Sequence, residues 1–335
     1  MKPVGIIANP ASGKDIRRLV AYGTVFDNNE KVNIVRRLLL AMDSMGVNDV
    51  FFMPDSFHIG ERALDGVDVA LQARTLDMAV ENTQEDSMRA AELLSSLDVA
   101  CIITLGGDGT NRAVAKKCGD TPLLPISTGT NNVFPFMVEG TIAGLAAGTV
   151  ALNTIGVEDV TRREPRLEIY RGSELVDIAL IDIVVTKSGF VGARAIWDVS
   201  EIHEIFLTRA GPSSIGFSSV GGYLCPLPAG CGKGLHIILG KGRRTVKTPI
   251  APGLICSLSI KTHHVFGADE AIPISHAPSL IALDGEREIT VRKGDALCVR
   301  INSQGPLVID IDRVLQQACE RSLFISDEPD EPEGV

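Results

Sequence analysis

Through the first half of the chain, short apolar runs alternate with amphipathic stretches. Val4–Ala8, Val50–Met53, Val99–Leu105 and Pro122–Ile126 are continuous and apolar, which reads as buried strands. Between them, Val32–Met45 puts Val35, Leu38, Leu39 and Met42 on one helical face, and Met88, Ala91, Leu94 and Leu97 form a second stripe. Thr83-Gln84-Glu85-Asp86, just before that stripe, has the form of a helix start, with a hydroxyl to cap the first amides and a carboxylate three residues on. Strands and helices in alternation predict a doubly wound α/β domain with a parallel sheet over residues 1–150.

From about Arg166 the period changes to two. Leu167, Ile169, Leu175 and Ile178 alternate with polar residues around Arg171-Gly172-Ser173, which has the composition of a hairpin turn. Leu235–Leu239, Leu254–Ile260, Glu286–Arg292 and Ala296–Ile301 follow as short strands between turn residues, so residues 151–310 are expected to form a mainly β sandwich. A last helix is expected over residues 311–322, packing back on the first domain. The acidic tail 323–335, with its run of charge and two prolines at Asp327–Glu333, is expected to be disordered.

The 335 residues carry 32 Lys and Arg against 42 Asp and Glu, a formal charge of −10. Such a balance argues against a grip on nucleic acid or anionic lipid, which needs a basic field. No apolar run approaches the ~20 residues of a membrane helix, and the first residues lack the long apolar stretch of a signal peptide. A cytoplasmic protein with no nucleic-acid or membrane partner is the expectation. The seven cysteines are scattered and mostly set in apolar segments, so they read as reduced core thiols, and no CxxC or HExxH spacing suggests a protein-caged metal.

The strongest candidate chemistry is Leu105-Gly106-Gly107-Asp108-Gly109-Thr110, where a buried strand meets a helix. Glycines at the carboxyl end of a parallel strand let backbone amides approach phosphate oxygens, and an acid among them suggests a metal contact or a proton acceptor. A tight turn capped by the Asp is the plainer account. Asn9-Pro10-Ala11-Ser12-Gly13-Lys14, with Arg17 and Arg18, offers either a second phosphate loop or an Asn-Pro turn; Asp15 and the distance from Gly5 to Gly13 exclude a Walker A loop. Ser127–Asn132 is a third polar loop after a strand. Three such loops at successive strand ends would converge on one rim. The pair His263-His264 and the group Lys241, Arg243 and Arg244 are read as surface or turn residues, and Trp197 and His203 as packing residues.

Gly106-Gly107-Asp108-Gly109-Thr110 resembles the signature shared by NAD kinases and by diacylglycerol and sphingosine kinases. Ala179–Val185 is similar to a second NAD kinase element, with Asp182 as its acid and Ile181 in place of an Asn. Pro212–Gly222 resembles a third, without its Thr-Ala-Tyr, and Leu283-Asp284-Gly285-Glu286 a fourth. Asn9–Gly13 and Gly129–Asn132 look more like lipid kinases. The mixture, together with Gly189–Trp197 and Asp284–Glu288, resembles the acetoin catabolism protein X family of NAD kinase-like proteins.

This resemblance implies a Rossmann-like domain followed by a β-sandwich, and an ATP-dependent kinase, a homo-oligomer (dimer or tetramer), that phosphorylates the adenosine ribose 2′-hydroxyl of NAD to give NADP. Mg²⁺ would arrive with the nucleotide, and polyphosphate is an alternative donor. Asp108 would act on the hydroxyl. Asn9, Ser12, Gly13, Gly106, Gly107, Gly109, Thr110, Asn111, Gly129, Thr130 and Asn131 would border the nucleotide, Asp182, Ser213 and Ser214 the acceptor, and Asp284 and Glu286 are secondary acids. The alternatives are a kinase of another hydroxyl, lipid or small metabolite, with Glu286 as its acid, and an inactive nucleotide sensor.

Overall fold

The computed structural model describes residues 1–13, 26–187 and 199–325. Lys14, Arg17, Arg18, the stretch Gly189–Trp197 and residues 326–335 lie outside the described part. Strands β1 (Val4–Ala8), β2 (Asp49–Phe52), β3 (Gln72–Thr75), β4 (Ile102–Gly106) and β5 (Leu123–Ser127) run parallel in the order β3-β2-β1-β4-β5. Every residue of β1, β4 and β5 is buried, as continuous apolar runs require when helices cover both faces.

The covering helices are α1 (Asn28–Ser44), α2 (Ile59–Ala63), α3 (Gln84–Ser96), α4 (Asp108–Ala115) and α5 (Gly140–Ala151), followed by a single turn, α6 (Val157–Val160). Asp27 accepts the Glu30 N–H at 2.8 Å and so starts α1 before its apolar stripe begins. Thr83 and Asp86 form the reciprocal cap that opens α3. The chain leaves β1 toward β2 and β3, then returns to β4 on the other side of β1. The strand order thus reverses between β1 and β4, which is where ligands bind in open α/β sheets.

The second half supplies β6 (Thr161–Arg163), β7 (Arg166–Arg171), β8 (Glu174–Ala179), β9 (Asp182–Lys187), β10 (Ile202–Leu207), β11 (Gly234–Ala251), β12 (Leu254–Phe266), β13 (Ile272–Pro273), β14 (Ser279–Leu283), β15 (Glu286–Val291), β16 (Leu297–Asn302) and β17 (Leu307–Ile309). Helix α7 (Phe217–Leu224) precedes β11, and α8 (Ile311–Glu320) follows β17. Two antiparallel sheets, β12-β11-β10-β9-β14-β15 and β13-β16-β7-β8, close on a core that includes Leu167, Ile169, Ile183, Phe206, Ile281 and Val299. Helix α7 packs on the outer face of the larger sheet, where Val220 meets Leu207 and Leu235.

Strands β6 and β17 belong to the first sheet, not to the sandwich. Val308 in β17 pairs with Leu123 in β5, and β6 pairs with β17 on its far side. The parallel sheet therefore takes two strands from the part of the chain read as sandwich. Helix α8 sets Val314 and Ala318 into the first domain's core with Ala143 and Ala147 of α5.

Two readings change. Lys241, Arg243 and Arg244 lie within β11, because Leu239 and Arg244 both pair with Ile260 and the residues between them bulge outward. All seven cysteines are free thiols, but only Cys101 and Cys118 are buried. Cys256 and Cys298 sit on strands of the sandwich that alternate inward and outward positions, which apolar neighbours in sequence do not reveal. Among the described residues, no helix is long and apolar enough to cross a membrane.

Candidate active site

The loops after β1, β4 and β5 meet at the carboxyl edge of the sheet. Asn9 Nδ2 donates to Thr110 Oγ1 at 2.9 Å, the Ser12 and Thr128 hydroxyls stand 3.1 Å apart, and the Thr128 N–H donates to the Gly106 carbonyl at 3.3 Å. Asn132 Nδ2 bonds Ser127 Oγ at 2.8 Å and the Gly129 carbonyl at 3.2 Å. Gly13 lies against the Thr128 carbonyl. Beneath the loops, the fully buried Lys31 of α1 donates to the carbonyls of Asn9 at 2.8 Å and Ser12 at 2.7 Å. An ammonium in that position puts a positive charge under a rim lined with amides.

Asp108 opens α4. Gly107 is the cap residue and offers no side-chain bond, so the first amides of α4 have no side-chain acceptor from the cap. The Asp108 carboxylate accepts N–H bonds from Val133, at 3.0 and 3.2 Å, and from Phe134 at 2.8 Å. The Asp thus fixes the loop after β5 while standing at the helix start. Burial pushes its carboxyl from an ordinary 3.8 up to about 7, helped by the nearby Asp284 carboxylate and opposed by the two amides and by Arg209.

The sandwich brings its own acids to the same place. Asp284 and Gly285 make the tight turn between β14 and β15, with φ of 49° and 83°. Asp284 accepts the N–H groups of Leu180 and Ile181 at 2.8 Å and of Asp182 at 3.1 Å, so it locks the turn to the start of β9. Burial raises its carboxyl, against Arg112 and these three amides. Arg112, fully buried on α4, reaches Asp177 at 3.3 Å, Glu286 at 3.4 Å and Asp284 at 3.9 Å. Glu286 extends to the start of α4, where a Cβ on Gly109 would lie 2.8 Å from its Oε1. The glycine at 109 thus makes room for a carboxylate of the sandwich. Gly106 likewise lies against the Thr110 side chain.

Other residues fall in less direct positions. Asn111 is completely buried; it accepts from Thr104 Oγ1 at 2.6 Å and donates to the Gly107 carbonyl at 2.9 Å, so it braces the loop from below. Thr130 is exposed and Asn131 half-buried beside it. Asp182 is buried, and its backbone exchanges bonds with Asp284. Ile181 is packed in the core. Ser214 lines a cavity of about 410 Å³ next to Val133, whereas Ser213 is exposed and does not line it. A second cavity, of about 360 Å³, opens at the opposite edge of the sheet between Lys2, Asp98, Asp120 and Asn153. Among the described residues, no group of three or more His, Cys, Asp or Glu could hold a metal ion.

Sequence reasoning passed over Lys31, Arg112, Arg209 and Glu164. A signal existed for Arg112, four residues after Asp108 and so on the same helical face. None marks Arg209, which is buried, donates to Glu164 Oε2 at 2.6 Å and lies over the Phe134 ring at 5.6 Å.

The parallel sheet, the glycine-rich turn into α4 and the sandwich that closes over it define an NAD kinase-like protein, and residues 4–151 match the family model of the ATP-NAD kinase N-terminal domain. Residues 165–304 match that of the acetoin catabolism protein X C-terminal domain. The chain is 38% identical to acetoin catabolism protein X of Cupriavidus necator, over 96% of this chain and 94% of that protein. It belongs to the acetoin catabolism protein X family. A crystal structure of an NAD kinase from Archaeoglobus fulgidus in complex with ATP aligns with 97% of this chain and 100% of its own, at a TM-score of 0.42 and 12% identity.

Proposed function

We propose that the protein is an ATP-dependent phosphotransferase of the NAD kinase kind, which phosphorylates the adenosine ribose 2′-hydroxyl of NAD and yields NADP. The observation that supports this most is Asp108, set where three strand-end loops meet the sandwich's Asp284 turn, with its proton affinity raised to about neutrality. A carboxyl with that affinity suits the task of accepting a proton at neutral pH. The hydroxyl oxygen attacks the γ-phosphorus, the bond from that phosphorus to the β–γ bridging oxygen breaks, and the hydroxyl proton passes to Asp108.

The amides at the start of α4 and the buried charge of Lys31 favour the phosphoryl oxygens. Asn9, Ser12, Gly13, Gly129, Thr130 and Asn131 border the donor nucleotide in this reading. Glu286, half exposed beside Gly109, supplies hard oxygen atoms near the start of α4 and would help hold Mg²⁺ together with the nucleotide phosphates. When bound, that ion neutralises charge on the phosphates. The test is incubation with NAD, Mg²⁺ and either ATP or polyphosphate, followed by mass detection of NADP. No NADP in both donor arms overturns the reading.

A second reading assigns the proton-accepting role to Glu286 and a different hydroxyl, on a small metabolite, as acceptor. It is favoured by one observation: the Asp108 carboxylate is engaged by two backbone amides, whereas the Glu286 side chain keeps 41% exposure beside Gly109. If Glu286→Gln abolishes turnover while Asp108→Asn mainly weakens nucleotide binding, this second reading stands.

A further inference from the structure

The cavity beside Val133 has rigid walls. Ala210 and Leu227 exchange N–H to carbonyl bonds at 2.8 and 2.9 Å, which clamps the segment carrying Gly211, Pro212 and Ser214 to the one carrying Pro226 and Pro228. Gly222 of α7 packs so closely behind that a Cβ there would lie 2.3 Å from the Gly211 carbonyl carbon. The open cavity these segments border, of about 410 Å³, is of ligand size.

One group in the wall does not match its mostly apolar, proline-rich neighbours. Arg209 is 8% exposed, and a guanidinium carries five N–H donors. Its Nη2 bonds Glu164, while its Nε is buried without a hydrogen-bond acceptor. Asp108 and Asp284 attract it through space, and burial lowers its proton affinity against the pull of Glu164. The Glu164 carboxylate already pairs with Nη2, and a buried N–H left without an acceptor is costly, so Nε gains from a further oxyanion. Arg112 is fully buried and already ion-paired with three carboxylates. An anionic acceptor entering this acidic neighbourhood therefore depends on Arg209.

We infer that the cavity receives the anionic group of the acceptor, and that Arg209 selects an acceptor bearing a phosphate or carboxylate over a neutral alcohol. This rests on the phosphotransferase reading, because Val133 both lines the cavity and donates its N–H to Asp108. The oxyanion has two sources, the pyrophosphate of a dinucleotide or the charged end of a small hydroxy acid or phosphate ester.

Titration calorimetry on the full chain separates them, with NAD and ADP-ribose as pyrophosphate probes, 3-hydroxybutyrate and glycerol 3-phosphate as small anions, and adenosine and glycerol as neutral counterparts. At least one anionic probe binds the unmodified protein more tightly than its neutral counterpart, Arg209→Gln weakens it by about 10- to 100-fold, and Arg209→Lys recovers part of the loss. Loss confined to NAD and ADP-ribose assigns the pyrophosphate; loss confined to the small probes assigns the charged metabolite. Equal affinities of Arg209→Gln and the unmodified protein, or no preference of the latter for anions, overturn the inference. Should Arg209→Gln fail to fold, Ala229→Trp on the exposed rim decides, since unchanged binding of the anion overturns it as well. Arg209-dependent binding without NADP formation removes the NAD kinase reading and keeps this inference. NADP formation that Arg209→Gln leaves undiminished does the reverse.

Discussion

The guanidinium Nε of Arg112 lies 3.9 Å from Asp284 Oδ2, and neither side chain has any solvent exposure. One residue belongs to a helix of the parallel-sheet domain, the other to a turn of the sandwich. Their pairing ties the helix that begins with Asp108 to the turn that carries Glu286, so the site's geometry depends on an ion pair between domains.

Removing the cation alone strips the fully buried Asp284 of the guanidinium beside it, while Asp177 keeps Lys116 at 2.7 Å. Arg112→Met is expected to destabilise the fold by about 3–5 kcal/mol, the usual cost of stranding one partner of a buried pair. Denaturant unfolding of the variant checks this; a loss under about 1 kcal/mol would show that the pair is not a fastening between domains.

The Asp108 carboxyl gives a pH signature of two opposite signs. Its proton affinity is raised on folding from 3.8 to about 7, so the native state binds more protons between these values. From this group, stability is greatest below the lower value and declines as pH rises through the upper one. Activity runs the other way, because only the ionised carboxylate accepts a proton, and kcat/KM is expected to climb through about pH 7. Asp108→Asn is expected to lower turnover by ~10²–10⁴-fold and to erase that limb, which a pH–rate profile of both proteins reads directly.

Gly109→Ala places a methyl group 2.8 Å from Glu286 Oε1, the far end of a flexible side chain. The carboxylate swings away and the fold tolerates it. Thermal midpoints within about 2–4 °C of the unmodified protein, with turnover reduced at least about tenfold, are the expected pair of results. Unchanged turnover would mean that the position of Glu286 is immaterial.

A separate acid cluster stabilises the sandwich. The fully buried Glu204 accepts from His236 at 2.9 Å, from His276 at 2.8 Å and from the Ser275 N–H at 2.9 Å, and His203 stacks on His276 at 4.1 Å. Burial alone would raise the Glu204 carboxyl, but these bonds prevail and hold it below its ordinary 4.5. A depressed carboxyl contributes stability above that value and loses it as pH falls further. Glu204→Gln is therefore expected to be less stable at pH 6 and to show a shallower decline below pH 4.5 in unfolding midpoints.

Local signals in the sequence were good guides where one short segment decides the outcome. The buried strands β1, β4 and β5 and the reciprocal cap at Thr83 and Asp86 follow from neighbouring residues alone. Convergence of the three loops follows from where those strands end. What escaped were contacts between residues far apart in the chain. Arg209 meets Glu164 across 45 positions and Arg112 meets Glu286 across 174, and neither run of sequence advertises a partner. Asn111, next to the glycine motif, is tied to Thr104 and to the Gly107 carbonyl, contacts that the motif itself does not announce. The bulge that absorbs Lys241 to Arg244 into β11 is invisible for a related reason, since it is set by the register with β12.

The seat of β17 between β5 and β6 has a bearing on how the polypeptide is made. During synthesis, Leu123 must wait for Val308, which is made long after it. Until then the Leu123 end of β5 stays open to the nascent chain's surroundings, whereas Ser127 and Pro125 at its other end already bond Phe136. Ending translation at residue 150 would make that interval permanent. The two halves share a sheet once folded, and for that reason they are not separable as products of expression.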